Sequence, residues 1–133
     1  MQWLRLTPVA LMVIAAACEK SVCPDIGCYP KITMTFANAV PAPYQLTVVV
    51  IGRTYEASCP SNNFGLTEGI DTCSSSNFEL VGVDLGHADV SNLTVSTSID
   101  GSPPIAAKAD LTGIQNSKEC DLICYTHAGV VTN

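Results

Sequence analysis

The sequence predicts an all-β fold: a single immunoglobulin-like antiparallel β-sandwich of about seven strands, stapled by disulfides and preceded by a signal-peptide helix. Three observations carry this. Short segments alternate apolar and polar residues with the period of a half-buried strand. Turn signals separate those segments. Behind an apolar N-terminal run lies an even set of cysteines, Cys23, Cys28, Cys59, Cys73, Cys120 and Cys124, which can pair completely in an oxidising compartment.

Residues 1–17, MQWLRLTPVALMVIAAA, read as a signal peptide of lipoprotein type. Arg5 and the terminal amine make a small positive region. The apolar run from Leu6 to Ala17, broken by Thr7 and Pro8, is about a dozen residues, short of the roughly 20 that a spanning helix needs. Two cuts fit the end of this run. A lipoprotein peptidase would cut before Cys18 once a diacylglycerol is attached to its sulfur. Ala16, Ala17 and Cys18 match a bacterial lipobox, which departs at Ala15, where leucine is usual. An ordinary signal peptidase would use the A-x-A pattern of Ala15–Ala17 and release a soluble chain, with Cys18 one more oxidised cysteine. The chain has 7 cysteines, an odd number that asks for an explanation in an exported protein. A lipid on Cys18 supplies one, and two or more acyl chains would hold the protein on a membrane.

Residues 18–30 form a Cys-containing tether, short of apolar residues and carrying Pro24, Gly27 and Pro30. The β-sandwich domain is assigned to residues 31–133, one domain's length. In KITMTF, Ile32, Met34 and Phe36 take one face. The proline-bearing NAVPAP turns the chain. In YQLTVVVI, Tyr44, Leu46, Val48 and Val50 share a face, while Val49 and Ile51 make the other face apolar too, which predicts a central strand. Gly52 with Arg53 suits a tight hairpin, and TYEASC returns with Tyr55, Ala57 and Cys59 together.

PSNNFGLTEGIDTCSSSN is polar and reads as the longest structureless stretch. Such stretches are usually functional or mobile. A Cys59–Cys73 disulfide would tie down its ends. FELVGVDL predicts a strand over Phe78 to Leu85 and GHADVSN a turn. NLTVSTSI alternates through Leu93, Val95, Thr97 and Ile99. Asp100-Gly101 is a hairpin signal, and IAAKADL returns with Ile105, Ala107, Ala109 and Leu111 on one face. Gly113 to Asp121 reads as a polar connection and CYTHAGVV as the last strand. First and last strands of such sandwiches often lie side by side. That favours bonding Cys23 and Cys28 to Cys120 and Cys124, with local Cys23–Cys28 and Cys120–Cys124 bonds as the alternative; spacing does not choose among the pairings.

A lipobox cysteine, an ITMTF strand, the hairpin TVVVIGRTYEASC, the SIDG turn and the final NSKECDLIC together resemble small uncharacterised predicted lipoproteins of myxobacteria and related bacteria. The resemblance covers most of the chain after Cys18. It implies a cell-envelope location and this fold, and it carries over no catalytic residue.

Composition excludes several functions. Lys+Arg number 6 against 12 Asp+Glu, a net charge of −6, so no basic patch exists to neutralise phosphates or to add a polybasic membrane contact. Asp84, His87 and Asp89 in DLGHAD could meet around a metal in a small envelope enzyme, and they equally make an ordinary solvated acidic turn. His127 sits within a strand, where a packed ring outweighs a catalytic base. There is no HExxH, GxSxG, P-loop or dinucleotide fingerprint, and Cys120-x-x-x-Cys124 is not a redox CxxC. A cysteine-ligated zinc site needs thiolates, which oxidised cysteines do not supply. The sole tryptophan, Trp3, leaves with the signal, so sugar binding on Tyr29, Tyr44, Tyr55 or Tyr125 has little platform. Asn92-Leu93-Thr94 matches a glycosylation acceptor, relevant only in a eukaryotic host. The reading is therefore a lipid-anchored envelope protein, non-catalytic and without cofactor or metal, binding or structural in role. Its partner is an envelope protein or polysaccharide, met at the Cys59–Cys73 loop. A freely secreted disulfide-rich inhibitor or matrix-type protein is the alternative.

Overall fold

A computed structural model describes residues 30–63, 65–85, 90–117 and 122–133. Residues 1–29, where the signal peptide and the tether with Cys18, Cys23 and Cys28 were expected, lie outside the described residues, as do Cys120, His87 and Asp89. Among the described residues there are nine strands and no helix: β1 (Lys31–Phe36), β2 (Tyr44–Val50), β3 (Arg53–Cys59), β4 (Ser61–Asn62), β5 (Gly69–Cys73), β6 (Asn77–Val81), β7 (Leu93–Ile99), β8 (Ile105–Ser117) and β9 (Leu122–Val131). No helix among these residues is long and apolar enough to cross a membrane.

The strands form one mixed sheet in the order β3-β2-β7-β8-β9-β1-β6-β5-β4. Every pairing is antiparallel except β1 with β9, where Lys31 to Phe36 run parallel to Thr126 to Val131. The first and last strands do lie side by side. Their pairing also explains why one sheet of nine strands stands where two sheets of about seven strands were expected. Strand β1 is hydrogen-bonded to β6 on one edge and to β9 on the other, so it joins the two halves that a sandwich keeps apart. The sheet curls until β3 lies against β5, and the Cys59–Cys73 disulfide links those strands. The result is nearly a closed barrel.

The alternation seen in the sequence sets the inner face. Ile32, Met34 and Phe36 of β1, Tyr44, Leu46, Val48 and Val50 of β2, and Leu93 and Val95 of β7 are all buried in one core with Phe78, Leu80 and Val131. Fully burying a side chain of this size contributes about 1.5–3 kcal/mol each. The Phe36 ring meets Tyr44 edge-on at 6.1 Å and Phe78 at 5.7 Å. The Tyr44 hydroxyl donates to the Ser74 carbonyl at 2.6 Å, which satisfies its one polar atom inside the core.

Four local expectations change. Val49 and Ile51 do not make a second apolar face; they are 39% and 38% exposed, because only one side of β2 faces the interior of the curled sheet. The hairpin connection is Ile51-Gly52, not Gly52-Arg53: Val50 pairs with Arg53, and both turn residues have positive φ, 51° and 72°, as a two-residue turn matching strand twist requires. The strand from Phe78 stops at Val81, where Gly82 takes φ 71° and donates its N–H to the Pro30 carbonyl; Val83 and Leu85 remain buried beyond it. The polar connection after Gly113 is instead the continuation of β8 to Ser117, paired with β9 past a register shift between Leu111 and Gly113.

Candidate functional site

The Cys59–Cys73 segment is not structureless. It folds as a flap of two short strands, β4 on β5 and β5 on β6. Its polar composition hides this, and so does a β-bulge: the register shifts between Ile70 and Thr72. Ile70 and Cys73 are both buried, with the half-buried pair Asp71-Thr72 between them. A spacing of three where a strand demands two is the trace a bulge leaves in sequence, and a bulge re-aims the side chain it inserts. Here that residue is Asp71.

Across from the bulge, the chain from Asn63 turns back, with the Leu66 N–H reaching the Asn63 carbonyl at 3.3 Å. This turn stands over the end of β6. A Cβ at Gly82 would run into the Thr67 carbonyl, so the flap rests on bare backbone there. Between the turn, the bulge and the start of β1 lies an open groove of about 290 Å³, lined by Lys31, Gly65, Leu66, Thr67, Asp71 and Val81. Its charged groups differ in state. Lys31 pairs with Glu79 at 3.5 Å while staying half-exposed. The Asp71 carboxylate has no hydrogen bond or ion pair among the described residues, while its backbone carbonyl accepts from the Asn63 N–H. Leu66 presents an exposed apolar side chain and Val81 a buried one.

A second cluster closes the seam between β3 and the flap. Glu68 Oε2 accepts from Arg53 Nη1 at 2.7 Å and from the Tyr55 hydroxyl at 2.5 Å. Burial, then the bond to Glu68, push the Tyr55 hydroxyl up to about 12. The Tyr55 and Arg53 bonds hold Glu68 below its usual range, and Glu68 holds Arg53 above its own. All three groups are engaged with one another, so the cluster reads as a fastener.

The residues singled out in the sequence fall as follows. Cys59 and Cys73 are bonded. Cys124 is buried and disulfide-bonded. Of the DLGHAD trio, Asp84 alone is described, and among the described residues no group of three His, Cys, Asp or Glu side chains could hold a metal. His127 is a packed strand histidine, its Nε2 2.7 Å from the Val90 carbonyl. Tyr44 is buried and Tyr55 and Tyr125 half-buried. Sequence reasoning pointed to the Cys59–Cys73 segment but missed Lys31, Asp71 and Val81, which only the β1–β6–β5 pairing brings together. Comparison with family models, with curated proteins and with solved structures returns no match.

Proposed function

We propose that this chain is a lipid-anchored, non-catalytic binding protein of the bacterial cell envelope, and that it meets its partner at the groove of the Cys59–Cys73 flap. One observation carries the binding half: the flap supplies Gly65, Leu66, Thr67 and Asp71 to the groove and is fastened at both ends of its seam, by the disulfide and by Arg53–Glu68–Tyr55. Binding segments are disproportionately loops held on a rigid scaffold. The scaffold itself we read as an immunoglobulin-like sandwich whose two halves have fused through β1; the side-by-side first and last strands support that kinship. The anchor half rests on the N-terminal sequence, the odd cysteine count and the resemblance to small myxobacterial lipoproteins. The partner is an envelope protein or polysaccharide.

Two experiments test this. The intact mass of the protein from its host's membrane fraction, with and without reduction, should fit the chain from Cys18 plus acyl groups and three disulfides. An unacylated chain in the medium would overturn the anchor and favour the secreted reading. Replacing residues 63–68 by a Gly-Ser turn should abolish cross-linking to envelope components, and full retention would remove the flap as the contact surface.

A further inference from the structure

We infer that the flap groove binds a small zwitterion: a ligand with an ammonium group for Asp71 and a carboxylate for Lys31 around a short apolar body that covers Leu66, as a branched-chain amino acid offers. This deepens the binding role proposed above and rests on it. The argument is one of complementarity. Opposite charges line one groove, yet they do not serve each other: Lys31 turns to Glu79, and Asp71 is left with no partner among the described residues. An isolated carboxylate beside apolar surface gains from a cation that arrives with its own hydrogen-bond donors. An ammonium carries three donors, so Lys31 can meet a ligand carboxylate without leaving Glu79. Size sets the class. The volume of about 290 Å³ is at the foot of the range of about 300–1,000 Å³ for ligand pockets, so a single residue fits better than a folded partner.

The test is a titration of the full chain, purified in detergent, followed by amide chemical shifts. The probes are L-leucine, isoamylamine (the ammonium alone), 4-methylpentanoate (the carboxylate alone) and glycyl-leucine (the end of a peptide). Leucine or glycyl-leucine should shift Leu66, Thr67, Asp71 and Val81 and bind at least tenfold tighter than either single-charge probe. Preference between them tells a free amino acid from a peptide terminus. Asp71→Asn and Lys31→Met should each weaken binding about tenfold, the loss of one charge-assisted contact, while melting like the parent chain. The inference is overturned if neither zwitterion binds at millimolar concentration, if isoamylamine binds as well as leucine, or if both variants bind unchanged. Its failure is separable from that of the wider reading: envelope cross-linking that still needs residues 63–68 would keep the flap as a contact surface and remove only the zwitterion.

Discussion

The barrel body and the flap are made on different terms. In the body, β1, β2 and β7 bury every second residue on one face, so stability is spread over many apolar contacts. In the flap, Ile70 and the disulfide sulfurs are the main buried groups, and the rest is held at points: Cys59–Cys73, Glu68 on Arg53 and Tyr55, Thr67 on the backbone of Gly82. Distributed burial unfolds as a unit, whereas point fastening lets a segment open on its own.

The largest effect should come from the body. Phe78 is fully buried against Phe36, and Phe78→Ala should cost about 3–5 kcal/mol in denaturant unfolding, from lost burial plus the cavity left behind. Amide exchange should accelerate throughout, in β1 and β9 as much as in β5. A response confined to the flap would erase the distinction. Next comes the fastener. Cys59 and Cys73 are 14 apart in sequence, and opening a loop of about 15 residues should cost about 3 kcal/mol. The double variant Cys59→Ala/Cys73→Ala should raise exchange at Ile70 and Thr72 well before β1 and β9 respond. Uniform acceleration would mean that the flap and the body unfold together.

The same contrast explains what could be read from the residues alone. The body was legible because its alternation is strict: Ile32, Met34 and Phe36 need no tertiary information to share a face. The Cys59–Cys73 bond was legible because one long polar stretch lay between two strand ends. The flap strands were not, because the bulge at Asp71 breaks the period and Gly69 opens β5 with φ 135°. The groove was not, because Lys31 and Asp71 are far apart in sequence and meet only through β6. The number of sheets was hidden for a similar reason: alternation says which face of β9 is buried but not that its edge pairs in parallel with β1.

Two gains of stability sharpen the comparison by asking where the body itself is imperfect. Ile51 holds φ 51° with a β-branched side chain, a conformation costing about 1–2 kcal/mol. Its side chain is 38% exposed, so Ile51→Asn gives up little burial and should stabilise by about 1 kcal/mol. Thr97 is fully buried on the inner face of β7, and its hydroxyl has no hydrogen-bond partner among the described residues. Thr97→Val removes that polar atom at nearly constant shape and should also stabilise by about 1 kcal/mol. Neither change should alter exchange in β5. A loss of stability in Thr97→Val would show that the hydroxyl is satisfied after all, by a bound water or its own backbone.

The smallest effect is the most specific to the flap. The Tyr55 phenol sits at about 12 against an ordinary 10.0, chiefly through burial and then through Glu68. A raised value means that the folded chain holds this proton more tightly than the unfolded one. The stabilisation is therefore complete below pH 10 and is lost as pH rises through about 12. Glu68 works in the opposite sense: its lowered value gives stability that is present above its ordinary 4.5 and lost as pH falls. Between those limits the cluster is intact, and the flap should show its slowest exchange there. Ultraviolet titration of phenolate, read as the difference between the parent chain and Tyr55→Phe, should find the Tyr55 transition at about 12. Glu68→Gln should bring it down part of the way only, since burial, the larger cause, remains. A full return to 10 would mean that Glu68 alone sets the value, and that the seam is already open to water.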